Sequence, residues 1–247
     1  MQDTCFNMFC LPPAGCNANI YFPWKKQVSD DINIIPLEYP GHGTKLSQPF
    51  INHVDLLAEH LMNEMLAYSD TPFILFGHSL GGGLIWKILE KLQHHPMLQQ
   101  LKLIMISSRP EHDYAQHLTQ KHLLNDQDIL QEIRKYNYLP DQVLNNPSLL
   151  QFCLKVIRHD FALSDQLIAE KVKQTSIPLM AFYGKDDPDI PNAIMMEAWQ
   201  KHTTAWLGCQ ILSGNHFYFT EPRVLKQLLQ YIQDIVQQHL MPPQSIL

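Results

Sequence analysis

The stretch that decides the fold of this chain is Phe73-Ile74-Leu75-Phe76-Gly77-His78-Ser79-Leu80-Gly81-Gly82-Gly83. Its four leading apolar residues predict a strand buried on both faces, and apolar residues at helical spacing predict a helix after the glycines. Gly77, Ser79 and Gly81 form the pattern Gly-x-Ser-x-Gly. Between a strand and a helix, these glycines permit a turn tight enough to expose the serine hydroxyl. Ser79 is therefore the candidate nucleophile, and a plain glycine-rich turn is the alternative.

Short apolar runs bounded by turn residues recur along the chain and predict six strands, over residues 6–11, 32–37, 73–76, 103–106, 178–183 and 206–212. Helical periodicity lies between them, in residues 53–65 and 84–92, and it returns at 225–236 after the last strand. This alternation predicts a single α/β domain over residues 1–247, with a mostly parallel sheet covered by helices on both faces.

One interval, residues 109–173, contains no predicted strand. Ile129, Ile133 and Tyr136 indicate one helix, and Leu149, Cys153, Val156 and Ile157 indicate another that begins near Asn146-Pro147-Ser148. The interval is much longer than a simple crossover requires. We therefore expect a helical lid inserted in the domain, with an elaborate crossover as the alternative.

Composition excludes several classes of protein. The 247 residues carry 18 Lys+Arg against 24 Asp+Glu, a net charge of −6, which does not suit a general nucleic-acid binder. No apolar run is long enough to span a membrane, and the N-terminus lacks the basic region of a secretory signal. The five cysteines form no CxxC pattern, and the 13 histidines form no metal motif. We expect a cytoplasmic monomer without a metal or cofactor.

A serine nucleophile needs a base, and the base needs a carboxylate. His216 follows the last predicted strand beside Gly214, which is where such a base is expected. Asp187 follows the fifth strand at the spacing Gly-x-x-Asp from Gly184, with Asp186 and Asp189 as neighbouring alternatives. The chain order Ser79, Asp187, His216 is that of the α/β-hydrolase fold.

An oxyanion hole requires two backbone donors. The N–H of Leu80, directly after the nucleophile, is the first candidate, and that of Ala14 or Gly15 in the loop after the first strand is the second. Cys16, in the same loop, has no evident base and is interpreted as a small residue of the loop wall.

Taken together, these motifs make the chain similar to the type II thioesterases of nonribosomal peptide and polyketide synthesis. The resemblance covers nearly the whole chain, and it is carried by Leu11-Pro12-Pro13-Ala14-Gly15, Trp24, Tyr39-Pro40-Gly41-His42-Gly43, Gly77-His78-Ser79-Leu80-Gly81-Gly82, Arg158-His159-Asp160-Phe161, Gly184-Lys185-Asp186-Asp187, Trp199 and Gly214-Asn215-His216-Phe217. Two positions depart from the family pattern: many members have a glycine in place of Cys16 and an arginine in place of His42.

The resemblance implies that Ser79, Asp187 and His216 are catalytic and that Ala14 and Leu80 donate to the oxyanion. It also implies hydrolysis of acyl groups from the phosphopantetheine arm of acyl or peptidyl carrier proteins. Activity should then increase with pH as His216 becomes neutral. The acyl group and the partner synthase stay open.

Within the lid, Leu149, Leu150, Phe152 and Phe161 either line an acyl pocket or pack the lid onto the core. Docking of an acidic carrier protein would be helped by a basic rim, for which the candidates are Lys25, Lys26, Lys45 and Arg109. Scattered, solvated charges are the alternative interpretation of these four residues.

Three other functions stay open at this stage. The same triad would serve a carboxylesterase or a fatty acyl carrier-protein thioesterase. A scaffold that binds carrier proteins on a hydrolase fold is the alternative without catalysis.

Overall fold

Six parallel strands form one sheet in the order β2-β1-β3-β4-β5-β6. The computed structural model describes residues 5–115, 120–137, 139–169 and 172–241. The strands are β1 (Phe6–Leu11), β2 (Ile32–Pro36), β3 (Phe73–His78), β4 (Leu101–Ser107), β5 (Leu179–Gly184) and β6 (Trp206–Leu212). All six predicted strands are present, with ends that differ from the prediction by two residues at most.

The α-helices are α1 (Val54–Met65), α2 (Leu80–Leu92), α3 (His112–Ala115), α4 (Asp126–Lys135), α5 (Asp141–Leu144), α6 (Pro147–Gln166), α7 (Ile194–Glu197) and α8 (Pro222–His239). Short 3-10 helices complete the connections, at Ala18–Lys26, Gly43–Lys45, Leu66–Tyr68, Pro96–Gln100, Lys121–Leu123, Leu167–Ala169, Ala198–His202 and Tyr218–Thr220. None of the described helices is both long and apolar enough to cross a membrane.

Two apolar layers cover the sheet. On one face, α1 and α2 bury residues such as Leu57, Leu61, Leu84 and Ile88 against the strands. On the other face, α8 packs together with the turn Ala18–Lys26. The periodicity that predicts α8 is reproduced in its burial, since Leu225, Leu228, Leu229, Ile232 and Val236 are all buried. The predicted α/β architecture is therefore confirmed.

The order of the strands places the candidate nucleophile and the predicted oxyanion loop at the same edge of the sheet. Leu11, the last residue of β1, is in register with Gly77 of β3. The loops that leave the carboxyl ends of these two neighbouring strands thus start at the same level, where the direction of winding reverses. A ligand crevice is expected at this switch point, and it contains both Ser79 and the loop with Ala14.

Helices without a strand fill the described part of the interval 109–173. They are α3, α4, α5 and α6, and α6 begins at Pro147, where the Asn146 side chain accepts from the N–H of Leu149. The buried face of α6 includes Leu154, Ile157 and Phe161, which pack with Ile129 of α4. The division of the chain into a domain and a moving lid stays a prediction.

Candidate active site

Ser79 stands on a strained turn between β3 and α2. Its backbone has φ 53° and ψ −111°, a conformation that costs free energy in any residue other than glycine. The Ser79 N–H donates to the carbonyl of Ser107 at 2.8 Å, which fixes the turn to the end of β4. A Cβ at Gly81 would lie 2.2 Å from the carbonyl oxygen of Leu11, so only glycine fits where α2 crosses β1. The backbone alone therefore holds Ser79 in place.

His216 and Asp187 form a buried pair. The Nδ1 of His216 lies 2.9 Å from Oδ2 and 3.1 Å from Oδ1 of Asp187, and the two side chains are only 4% and 0% exposed. A carboxylate accepts, so Nδ1 donates its proton and Nε2 is left as the base. Among the three candidate aspartates, Asp187 makes this contact, whereas Asp186 is exposed.

Asp189 has a different set of partners. It accepts from the hydroxyl of Tyr136 at 2.8 Å and from Nζ of Lys121 at 3.2 Å. Its own N–H donates to Oδ1 of Asp187 at 3.0 Å. Burial by itself would raise the pKa of Asp189, but the charges of Lys121 and His216 and the hydrogen bonds from Tyr136 and Lys121 together outweigh burial and hold the pKa below its usual value. Asp189 therefore ties the loop of Asp187 to the helical segment.

The two predicted oxyanion donors have different surroundings. Leu80 is the first residue of α2, where backbone N–H groups have no acceptor within the helix. In the loop after β1, the N–H of Gly15 donates to Oδ2 of Asp160 at 2.7 Å. Of the two candidates in this loop, Gly15 thus has its N–H engaged, which favours Ala14 as the second donor.

Asp160 occupies the position of the aspartate in the predicted lid motif. Its carboxylate is fully buried and also contacts Nε2 of His42 at 2.9 Å and Nδ1 of His159 at 3.0 Å. Burial would raise the pKa of Asp160, but hydrogen bonds from His159 and His42 outweigh it and lower the pKa. Conversely, burial would lower the pKa of His42, and the contact with Asp160 raises it above the ordinary value.

The other residues of the lid motif have separate roles. Arg158 donates to the carbonyl oxygens of His122 and Leu124 and to the carboxylate of Asp126, and so joins α6 to the segment before α4. Phe161 is buried and faces the cavity next to Ser79.

A cavity of about 100 Å³ contains Ser79 and His216. Its apolar wall includes Ala14, Cys16, Ile133, Ile157, Phe161 and Phe217. Of the three lid candidates for an acyl pocket, Phe161 lines this cavity, whereas Leu149 and Phe152 do not, and the acyl pocket itself stays a prediction. Both side chains lie on the outer face of α6, 40% and 43% exposed, because α6 turns Leu154, Ile157 and Phe161 inward instead.

The four candidates for a basic rim differ in their exposure and their partners. Arg109 is buried in the cavity wall, where it donates to Oγ of Ser164 at 2.8 Å, and burial lowers its pKa to about 10. Lys45 pairs with Glu64, while Lys25 and Lys26 are exposed. Arg109 therefore cannot belong to an exposed rim, and a rim formed by the three lysines stays a prediction.

His78 is a site residue that sequence reasoning missed. Its Nδ1 lies 2.8 Å from Oγ of Ser107, and its ring packs edge-on against His216 with 4.9 Å between centroids. Burial, together with the charge of His216, holds the pKa of His78 well below 6.5. His78 is therefore a neutral neighbour of the base. Its place beside Ser79 in the elbow is the signal that was available in the sequence.

Two groups among the described residues have the geometry to hold a metal ion. One consists of Asp187, Asp189 and His216, and so includes two residues of the predicted triad. The other consists of Glu111, His112 and His202, where Glu111 already accepts from His202 at 2.8 Å and pairs with Lys201 at 3.0 Å. These contacts satisfy Glu111 within the protein.

The family follows from a comparison with known protein families. The model of the Thioesterase domain matches residues 6–236 and so includes all six strands and the three candidate triad residues. The chain belongs to the Thioesterase domain family. It is thus a hydrolase of the thioesterase class, and the resemblance inferred from the sequence motifs is confirmed.

Individual relatives agree with this family. The thioesterase is 29% identical over 212 residues to the AMB antimetabolite synthetase AmbE of Pseudomonas aeruginosa, a match that covers 85% of this chain and only 10% of AmbE. Among solved structures, ClbQ from the colibactin NRPS/PKS pathway has a TM-score of 0.84 and 26% identity, with 95% of this chain and 98% of ClbQ covered. The type II thioesterase BorB from the borrelidin cluster has a TM-score of 0.79 and 25% identity, with 94% and 92% covered.

Proposed function

We propose that this chain is a type II thioesterase that removes acyl groups from the phosphopantetheine arm of carrier proteins in nonribosomal peptide or polyketide synthesis. The observation that carries the proposal is the buried Asp187–His216 pair beside the strained Ser79 turn in one cavity. The likeness to BorB, a type II thioesterase, and to ClbQ, from an NRPS/PKS pathway, supports the choice of substrate.

Acylation is the first half of the reaction. Nε2 of His216 takes the proton of the Ser79 hydroxyl, and Oγ attacks the thioester carbonyl. The negative charge that develops on the carbonyl oxygen is stabilised by the N–H groups of Leu80 and Ala14. The carbon–sulfur bond then breaks, and the pantetheine thiol leaves with the proton from His216.

Deacylation uses the same groups. His216 takes a proton from water, and the resulting hydroxide attacks the acyl-Ser79 ester, with the oxyanion again on the two N–H groups. Cleavage of the ester bond releases the carboxylic acid, and Ser79 recovers its proton from His216. Asp187 keeps Nδ1–H of His216 oriented and stabilises the imidazolium in both halves. Neither half requires a cofactor.

The test compares hydrolysis of acetyl- and longer acyl-loaded carrier proteins with that of matched p-nitrophenyl esters. We expect turnover of the loaded carriers to be lost in Ser79→Ala and kept in Ser47→Ala, a change at an exposed position. Trapped acyl-enzyme should carry the acyl group on the peptide with Ser79 and not on the peptide with Cys16.

Other outcomes would replace the proposal. Efficient ester cleavage with inert loaded carriers would identify a general carboxylesterase, and a strong preference for long fatty acyl carriers would identify a fatty acid synthase thioesterase. No turnover and no labelling of Ser79 by a fluorophosphonate would leave a scaffold that binds carrier proteins.

A further inference from the structure

Three segments that are distant in sequence meet at the carboxylate of Asp160. Oδ2 accepts from the N–H of Gly15 at 2.7 Å and from Nε2 of His42 at 2.9 Å, and Oδ1 accepts from Nδ1 of His159 at 3.0 Å. The carboxylate is fully buried. A buried carboxylate is stable only when it is paired and hydrogen-bonded, so these contacts decide whether Asp160 stays an anion.

In His42 and in His159, each of the two ring nitrogens lies next to a hydrogen-bond acceptor. In His42, Nε2 faces Asp160 and Nδ1 lies 3.1 Å from the carbonyl oxygen of Pro40. In His159, Nδ1 faces Asp160 and Nε2 lies 3.1 Å from the carbonyl oxygen of Ile51. A neutral imidazole has one N–H donor, whereas an imidazolium has two. Each ring therefore satisfies all its contacts only when it is protonated.

The carboxylate is also the anchor of the loop that supplies the second oxyanion donor. Gly15 follows Ala14 directly, has a φ of +74°, and packs so closely on α6 that a Cβ would lie 2.5 Å from Cγ1 of Ile157. The position of the Ala14 N–H therefore depends on the bond from Gly15 to Asp160.

We propose that His42 is a positioning residue for the oxyanion hole: its protonated ring holds the Asp160 carboxylate on the N–H of Gly15, and loss of that proton loosens the loop of Ala14. The inference rests on the proposed function, because it concerns the donor of the same reaction. His42 touches no reacting atom and acts through Asp160.

The charges around His42 support its protonation. Glu38, Tyr39 and Lys45 belong to the same loop, and His159 and Asp160 contact His42 from α6, which also carries Lys155. The negative charges of Asp160 and Glu38 raise the pKa of His42. Tyr39 stays neutral because burial raises its pKa well above 10.0. The two lysines have other partners, since Lys45 pairs with Glu64 and Lys155 lies 5.8 Å above the ring of Phe50.

The proposal predicts a second limb in the pH profile. As pH rises through the raised pKa of His42, the loop of Ala14 loosens and kcat/KM decreases. Complete loss of one oxyanion donor costs about 10²–10³-fold, so a displaced donor should cost roughly tenfold. The decrease should appear in kcat more than in KM, because the oxyanion forms only in the transition state.

The experiment compares wild type with His42→Arg, whose charge is permanent, and with His42→Gln, which keeps a donor but has no charge. We expect His42→Arg to keep its activity on the alkaline side and His42→Gln to show the low alkaline activity at every pH. His94→Arg, at an exposed position with no described contact, is the matched control and should keep the wild-type profile.

A second readout needs no substrate. In wild type labelled with ¹⁵N at its 10 glycines, the amide proton of Gly15 should titrate together with the ring Cε1 proton of His42. This titration should vanish in His42→Arg.

The proposal would be overturned if the chemical shift of the Gly15 amide proton did not change with pH. It would also be overturned if kcat/KM decreased on the alkaline side in both His42 variants as it does in wild type. If wild type hydrolyses no thioester, the proposed function fails, but the Gly15 titration still decides whether His42 controls the loop.

Discussion

The two halves of the candidate active site are held by different means. The half with Ser79 is fixed by backbone contacts, because Gly77 and Gly81 let α2 approach β1 and β3 within the reach of a Cβ. The half with Ala14 is held by side-chain charges that converge on Asp160. Backbone packing is insensitive to pH, whereas the charges of histidines change in the physiological range. The nucleophile should therefore be rigid under conditions in which the oxyanion loop is not.

The largest effect is expected from Gly81→Ala, which disrupts the backbone packing that holds the half of the site with Ser79. The added Cβ would lie 2.2 Å from the carbonyl oxygen of Leu11, and neither backbone can move without separating α2 from the sheet. We expect little folded protein, as measured by circular dichroism and urea unfolding. Gly208→Ala is the control: Gly208 has a φ of +102°, unlike the helical Gly81, but a Cβ there would meet no atom within 4 Å, so its cost should be only about 1–2 kcal/mol. Equal stability of the two variants would contradict the packing explanation.

The second largest effect is expected from Asp187→Asn. This change should leave both halves of the site folded and remove the carboxylate charge that contacts His216. An asparagine favours the wrong tautomer of the base, a change that costs about 10⁴-fold in kcat in serine hydrolases. Asp186→Asn, at the exposed neighbour, should stay within about twofold of wild type, because exposed charges interact weakly. Steady-state hydrolysis of a loaded carrier protein measures both. A large loss in Asp186→Asn would reverse the assignment of the triad.

A smaller effect is expected in the pH dependence of stability, which tests the charged half. The pKa of His42 is raised in the folded protein, so its stabilisation is complete below its unfolded pKa of about 6.5 and is lost as pH rises through the folded value. The pKa of Asp160 is lowered, so its contribution is present above about pH 3.9 and is lost as pH falls through the folded value. Urea unfolding from about pH 5 to 9 should show a decline on the alkaline side that is absent in His42→Arg.

The smallest effect is expected from Tyr136→Phe, which weakens the link between the triad loop and the helical segment. Asp189 would lose the hydroxyl donor at 2.8 Å but keep Lys121 at 3.2 Å. The cost should be about 1.5–3 kcal/mol, the range for a hydrogen bond to a charged group. We expect faster amide exchange in α4, with unchanged exchange in β3. Unchanged exchange in α4 would show that this link does not hold the segment.

Most of the fold could be predicted from local patterns. The six strands are short apolar runs that end at turn residues, and α8 repeats its apolar residues at the helical period, so each is encoded within its own segment. Ser79 could be predicted for the same reason, since the glycines around it have a geometric purpose that is visible in the sequence. The lid side chains could not, because the direction of Leu149 and Phe152 depends on how α6 is rotated against Ile129 and the sheet.

Local motifs were enough to predict the chain order of the candidate residues Ser79, Asp187 and His216, and to recognise the family to which the chain belongs. Only the tertiary structure decided which aspartate contacts His216, that the Gly15 N–H is engaged, and that Arg109 is buried. The contact of His42 with Asp160 is the clearest case, because 118 positions separate the two residues. A local pattern specifies how one segment folds. A charge pair between distant segments depends on how these segments pack, and a single sequence contains no local pattern that links them.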